Sequence, residues 1–308
     1  MTREGTTTGG PTALRRAGPA LAVGALAAVA VSALISYVSQ QLNAPFHTLE
    51  ARLPDHAVRV LTAPLPATVA LEDMTWVEVR SGIAAGYTTA IVPTGGVEQN
   101  GPHMILGKHG LIVSAAAHRI ATSLGHTLVA PTINYVPEGE FNPASGHMRF
   151  PGTIGVTEPV FAGILEGAAR SLKAAGFKTI VFIGDHGANQ APQAAVAERL
   201  SKEWVRDGVR VAHIQAYYDD AAQTARLLKD GFTRDEIGEH ASLIDTSELL
   251  SVRPDSVKLD RFQPASSGTE ENGARGDPRK ANAKLGAELL QMRIDAAVAE
   301  IKSQLAIN

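Results

Sequence analysis

The sequence predicts an α/β fold: a three-layer αβα sandwich on a mostly parallel sheet, preceded by an N-terminal hydrophobic leader. Two observations lead to this prediction. Short apolar, β-rich runs alternate with segments of helical spacing from about residue 71 onward. Glycines close several of these segments, as they do at helix and strand ends. Alternation of strand and helix implies right-handed crossovers, which place helices on both faces of a parallel sheet.

Each predicted element has its own signals. Helical spacing marks residues 73–86, and the β-rich run at 87–96 ends in two glycines. A helix at 110–125 closes on Gly125, and a short strand follows at 126–131. The same reasoning predicts a helix at 158–175, a strand at 177–185, a helix at 189–206, a strand at 209–214 and one or two closing helices at 277–305.

The first 40 residues are predicted to be a leader outside the fold. Arg15 and Arg16 precede an uncharged, Ala/Val/Leu-rich run at 17–38, long enough for a signal peptide core or a single span. This run fits both a signal peptide that is cleaved and an uncleaved membrane anchor. Residues 41–70, with four prolines, predict a tether, and residues 71–308 predict the folded domain. We therefore expect an exported protein, either periplasmic or anchored to the inner membrane facing the periplasm, that meets the membrane only through this leader.

The composition excludes several classes of function. A formal net charge of -3 gives no basic footprint for nucleic acid, so a small molecule is the expected partner. The chain has no cysteine, which excludes disulfides, thiol nucleophiles and iron–sulfur sites. Any metal must therefore be held by His, Asp or Glu.

Polar side chains gather in two loops that follow predicted strands. Residues 98–109 carry one carboxylate and two histidines directly after one strand, and Asp185 and His186 follow another. In open α/β sheets the ligand crevice lies beyond the carboxyl ends of the strands. The two loops are therefore expected to converge on one pocket.

Five sequence blocks, in order, resemble the creatininase (creatinine amidohydrolase) family over roughly residues 71–300. They are VPTGGVEQNGPHMILGKH at 92–109, GHMRFPGTIGV at 146–156, GFKTIVFIGDHGANQ at 176–190, EHASLIDTSELL at 239–250 and GDPRKANAKLG at 276–286. The resemblance implies that residues 71–308 are a metal-dependent amidohydrolase domain, usually with two metal ions bridged by a carboxylate. It also implies a homo-oligomer, for which a hexamer is one candidate.

The resemblance is incomplete at the metal ligands. Asn100 stands where the family has a metal histidine, and His109 stands where it has the bridging Asp. The places for a further carboxylate hold Ala188 and Leu243. Neutral imidazole offers one lone pair to one metal, so His109 cannot bridge two ions as a carboxylate does. We therefore predict one divalent ion per chain, Zn, Fe or Mn.

The predicted metal ligands are Glu98, His109 and His186, which leave open positions for water and substrate. By the resemblance, His240 passes a proton to the leaving nitrogen, and Asp245 stands in place of a family Glu. We expect either Asp245 or the free oxygen of Glu98 to orient the water. The remaining predicted residues orient these groups or contact the substrate: Asn100, His103, His147, Asp185 and Asn189.

The predicted function is an exported hydrolase that cleaves a small cyclic or linear amide by metal-activated water. Creatinine itself is not the expected substrate, because the departures fall on residues that the family enzyme uses. Two alternatives are open. One is a catalytically degenerate family member that acts as a ligand-binding protein, and the other is a metal-dependent lactonase.

Overall fold

The computed structural model describes residue 63 and the ranges 67–263 and 272–305. The predicted leader and most of the predicted tether lie outside these residues, so the domain boundaries stay predictions. Within the described ranges, no helix has both the length and the apolar character needed to cross a membrane.

A parallel sheet forms the centre of the described domain. Its strands, in the order β2-β1-β3-β4, are β1 (Thr89–Thr94), β2 (Thr127–Val129), β3 (Thr179–Gly184) and β4 (Arg210–His213). Thr89 of β1 pairs with Thr127 of β2 on one side and with Thr179 of β3 on the other. All six residues of β1 are buried. A central strand of a parallel sheet is apolar along its length because helices cover both of its faces.

The longer connections form helices that pack against the sheet or against one another. They are α1 (Trp76–Ala84), α2 (Lys108–Leu124), α3 (Glu158–Ala175), α4 (Gln190–Glu203), α5 (Ala221–Lys229), α6 (Arg234–Ile237), α7 (Leu243–Val252) and α8 (Ala283–Leu305). A short 3₁₀ turn at Pro278–Lys280 precedes α8. The closing segment, for which one or two helices were predicted, therefore contains one long helix after this turn.

Alternate side chains of the strands enter two separate cores, as the period of two in a strand requires. On one face, Ile91 and Val181 pack with apolar residues of α2, α7 and α8. On the other face, Val92 and Phe182 pack with apolar residues of α3 and α4. The layers are thus helix, sheet and helix, and the predicted three-layer αβα sandwich with a parallel sheet is confirmed.

Local signals explain where individual helices begin and end. At the start of α1 the Thr75 hydroxyl accepts from the Glu78 N–H, and the Glu78 carboxylate accepts from the Thr75 N–H. This capping box satisfies two backbone donors that the first turn leaves free. Helix α3 ends at Gly176, whose φ of 110° lies in the left-handed region.

Two glycines allow the loop after β1 to pack directly on the first turn of α2. A Cβ atom on Gly110 would overlap the side-chain amide of Asn134, and one on Gly95 would overlap the backbone of Gly110. Any larger residue at either position would push the loop and the helix apart. This close approach brings Glu98, in the loop, next to His109, on the helix.

Candidate functional site

Four buried or half-buried side chains converge beyond the carboxyl ends of the strands. They are Glu98, Glu138, His147 and His186, and each offers one ligand atom within 4.8 Å of the others. Glu98 follows β1 and His186 follows β3, whereas the other two come from the long segment after β2. The site therefore lies at the sheet edge that the strand order predicts.

The two oxygens of Glu98 face different surroundings. Oε2 lies 2.9 Å from His186 Nε2 and 3.0 Å from His147 Nε2, and His186 Nε2 is 3.3 Å from Glu138 Oε2. Oε1 lies 2.7 Å from His109 Nε2 and 3.8 Å from Lys108 Nζ. We call these the ligand side and the cation side of Glu98.

On the ligand side, the close atoms do not satisfy one another by hydrogen bonds. Glu98 Oε2 and both oxygens of Glu138 are buried, and none has a hydrogen bond of good geometry from a described residue, although the Nε2 atoms of His147 and His186 lie within 3.3 Å. Buried carboxylate oxygens in proteins are almost always hydrogen-bonded or bound to a cation. Carboxylate oxygens and imidazole nitrogens that converge on a common point in this way fit the ligands of a divalent ion.

The electrostatics of the carboxylate pair lead to the same conclusion. Burial, together with the charge of Glu98, raises the pKa of Glu138 to about 9. Burial also opposes ionisation of Glu98, but His109 and His186 outweigh it and hold the pKa of Glu98 well below its usual range. Two acids this close cannot both be anions without a cation between or beside them.

His109 forms a bridge between two carboxylates. Its Nε2 is 2.7 Å from Glu98 Oε1 and its Nδ1 is 2.7 Å from Asp185 Oδ2. Burial and Lys108 oppose a charge on the ring, yet the two carboxylates raise the pKa of His109 to about 9. With both nitrogens engaged, the ring has no free lone pair for a metal. Of the three predicted ligands, Glu98 and His186 fall within the converging group, and this geometry gives no support to His109.

Asp185 is held in place by buried polar side chains. Its Oδ1 lies 2.6 Å from Arg293 Nη2 and accepts from the Tyr217 hydroxyl at 3.2 Å. Arg293 also donates from Nη1 to Glu248 Oε2 at 2.8 Å. These side chains are buried, so Asp185 orients His109 within a fixed ionic network at the wall of the cavity.

His240 lies at the rim of the site as a neutral imidazole. Its Nε2 donates to the backbone carbonyl of Gln99 at 3.0 Å, while Nδ1 is 3.7 Å from Glu98 Oε1. Burial, with the nearby charge of Lys108, lowers the pKa of His240 to about 4. At neutral pH the ring is therefore unprotonated and a weak base, and it can donate a proton only after another group has supplied one. The predicted donor role must therefore follow an earlier proton transfer.

Asp245 is paired with a lysine that is fully buried. Its Oδ2 accepts from Lys108 Nζ at 2.9 Å and from the Ala241 N–H at 2.8 Å. Burial opposes ionisation of Asp245, but the Lys108 ammonium holds its pKa well below the usual range. Asp245 is thus a permanent anion of low basicity, which suits positioning better than proton abstraction.

Three other predicted residues stabilise the loops of the site by hydrogen bonds. Asn100 donates to the Glu98 carbonyl at 2.9 Å, and Asn189 donates to the Thr94 hydroxyl at 2.7 Å. His103 Nε2 is 3.0 Å from the Thr246 hydroxyl, and burial lowers the pKa of His103 to about 4.

A cavity of about 740 Å³ opens onto the site and is lined by His147, His186, His240 and Asp245 among others. A second cavity of about 890 Å³ adjoins it and shares Asp220, Gly238 and Glu239 with the first. The site therefore lies in the first of two adjoining cavities, which we together call the groove.

Sequence reasoning missed three residues of this site. Glu138 lies nine residues beyond the end of β2, in an irregular segment, so the strand-end argument that selected Glu98 does not reach it. Gln99 places its amide nitrogen 3.0 Å from His147 Nδ1 and 3.2 Å from His240 Nε2. Lys108 had no distinguishing signal, because a lysine at the start of a helix usually faces solvent.

Comparison with known proteins agrees with this architecture. The creatinine amidohydrolase family model matches residues 72–301. Creatinine amidohydrolase of Pseudomonas putida is 28% identical over 199 residues, which cover 63% of this chain and 75% of that protein. Mycofactocin precursor peptide peptidase of Mycolicibacterium smegmatis is 28% identical over 225 residues, covering 69% of this chain and 83% of that one.

Solved structures show the same fold. The crystal structure of creatinine amidohydrolase (creatininase) superposes with a TM-score of 0.65 at 24% identity, covering 78% of this chain and 98% of that one. A tryptophan-to-alanine mutant of creatininase gives a TM-score of 0.65 at 25% identity, covering 77% and 98%. Because the family model spans most of the chain, the protein belongs to the creatininase family of hydrolases that act on C–N bonds.

Proposed function

We propose that this protein is an exported amidohydrolase that uses one divalent ion held by Glu98, Glu138, His147 and His186. The observation that carries the proposal is the convergence of two carboxylate oxygens and two imidazole nitrogens within 4.8 Å of one another on the ligand side of Glu98. Two carboxylates and two imidazoles are a donor set for Mn²⁺, Zn²⁺ or Fe²⁺. Related solved structures include a manganese creatininase and a Zn-Zn type of a mutant creatininase.

An ion bound there supplies an activated water and a polarised carbonyl, which are the requirements of amide hydrolysis. The protein's own groups then have separate tasks. Glu98 is held as an anion by His109, and Asp245 is held as an anion by Lys108. His240, neutral and beside Glu98, would take up the proton that the attacking water loses and pass it to the leaving nitrogen.

The groove supports a linear amide as substrate, including a peptide. Pockets for small ligands usually measure about 300–1,000 Å³. Here a cavity of about 740 Å³ adjoins one of about 890 Å³, which would give room for residues on one side of the scissile bond. The relatives named above include both a creatinine amidohydrolase and a peptide peptidase. A small cyclic amide would use only the first cavity.

Export and assembly are further parts of the proposal. The uncharged run at 17–38 supports export to the periplasm, either free or anchored to the inner membrane. Val160 and Ile164 lie one turn apart on α3 and are 51% and 36% exposed, which supports contact with another copy of the chain.

The proposal is tested by metal analysis and a substrate panel on the purified protein. We expect about one tightly held divalent ion per chain and hydrolysis of linear amides or short peptides. His186→Ala should lose both, whereas His118→Ala, farther along α2 and away from the site, should keep both. A folded protein that binds no ion would contradict the proposal and favour the ligand-binding alternative. Turnover of lactones alone, unaffected by His240→Ala, would favour the lactonase.

A further inference from the structure

Lys108 occupies an unusual place for a lysine. It is the first residue of α2, and its side chain is wholly buried. Both features are unfavourable, because a helix N-terminus carries partial positive charge and a buried ammonium loses its hydration. Such a placement persists only where anions compensate it.

The compensating anions belong to the active site. Lys108 Nζ lies 2.9 Å from Asp245 Oδ2 and 3.8 Å from Glu98 Oε1. The ammonium therefore sits on the cation side of Glu98, between two carboxylates that would otherwise attract a metal ion. On the opposite side, Glu98 Oε2 faces the imidazoles of His147 and His186.

We propose that Lys108 is a built-in cation of the metal centre, which closes the cation side of Glu98 and restricts the site to a single divalent ion on the ligand side. This inference rests on the proposed metal-dependent function. The ammonium carries one charge on a fixed side chain, so it neutralises Asp245 without itself binding water or substrate. It also repels a divalent ion bound to the other oxygen of the same carboxylate.

The test is calorimetric titration of Mn²⁺ and Zn²⁺ into the full-length protein after chelation, with no activity assay. Wild type should bind one ion. Lys108→Met, whose unbranched side chain is one atom shorter and carries no charge, should bind either two ions or one ion at least tenfold more tightly. Lys202→Met removes a surface lysine that pairs with Glu198, and it should behave as wild type.

The outcomes separate this inference from the proposed function. Wild type that binds no ion overturns the metal-dependent function, and the inference falls with it. Lys108→Met that binds one ion within tenfold of the wild-type affinity overturns the inference alone. Wild type that binds two ions overturns the inference together with the one-ion stoichiometry of the proposed function, and it leaves metal dependence standing. If Lys108→Met does not fold, as judged by circular dichroism, Lys108→Gln replaces it, because its amide is a polar donor without a charge. The same two criteria then apply.

Discussion

Replacing Glu138 by Gln should make the metal-free protein more stable at neutral pH while removing its response to metal. The pKa of Glu138 is raised from 4.5 to about 9 in the folded chain. Between these values the unfolded chain releases the proton and the folded chain keeps it, so the free energy of unfolding falls as pH rises. From pH 5 to pH 7.5 this loss amounts to about 3 kcal/mol, at about 1.36 kcal/mol per unit. Gln resembles the protonated acid and has no such loss.

The assay is urea unfolding followed by circular dichroism, with a chelator, at both pH values. The stability of Glu138→Gln relative to wild type should rise by about 3 kcal/mol between pH 5 and pH 7.5. Adding Mn²⁺ should stabilise wild type and not the variant, so the order reverses. Glu140→Gln changes an exposed acid two residues away and serves as the control. Parallel pH profiles for wild type and Glu138→Gln would refute the reasoning.

Three further changes test other parts of the structure. Arg293→Met leaves Asp185 and Glu248 without their shared partner. It should lower the free energy of unfolding, measured by urea titration, by about 3–5 kcal/mol. A loss below about 1 kcal/mol would count against the network. Leu165→Ala, at a core position of α3, should lower the free energy of unfolding by about 2–5 kcal/mol and leave the metal content unchanged. His240→Asn should reduce turnover at least tenfold and leave the metal content, measured by mass spectrometry, unchanged. A lower metal content in this variant would instead indicate that His240 is a metal ligand.

The fold could be predicted because its signals are local and repeated. Alternation of apolar strands with amphipathic helices, and glycines such as Gly125 and Gly176 at helix ends, follow from backbone and burial rules that act within a few residues. The three-layer sandwich then follows from the handedness of parallel crossovers. Helix ends differed by a few residues, as for α2, which begins at Lys108 instead of Gly110.

The site could be predicted only in part because its chemistry depends on distances between loops. Glu98 and His186 were found from strand ends and family position, and the structure places them 2.9 Å apart. Glu138 lies in a segment whose path no periodic pattern reveals. The role of His109 depended on which atoms its nitrogens meet, and Asp185 approaches one of them across 76 residues of sequence.

Charge balance explains why one divalent ion suits this centre. The buried network described above contains five carboxylates and three cationic side chains: Glu98, Glu138, Asp185, Asp245, Glu248, Lys108, His109 and Arg293. With every acid ionised and His147 and His186 as neutral ligands, two negative charges remain uncompensated. One divalent ion neutralises them and allows Glu138 to ionise. A second divalent ion would bury two positive charges without counter-ions, a large cost in a low-dielectric interior. The replacement of a bridging acid by His109, together with Lys108 beside it, thus changes the charge that the site accepts as well as its ligands.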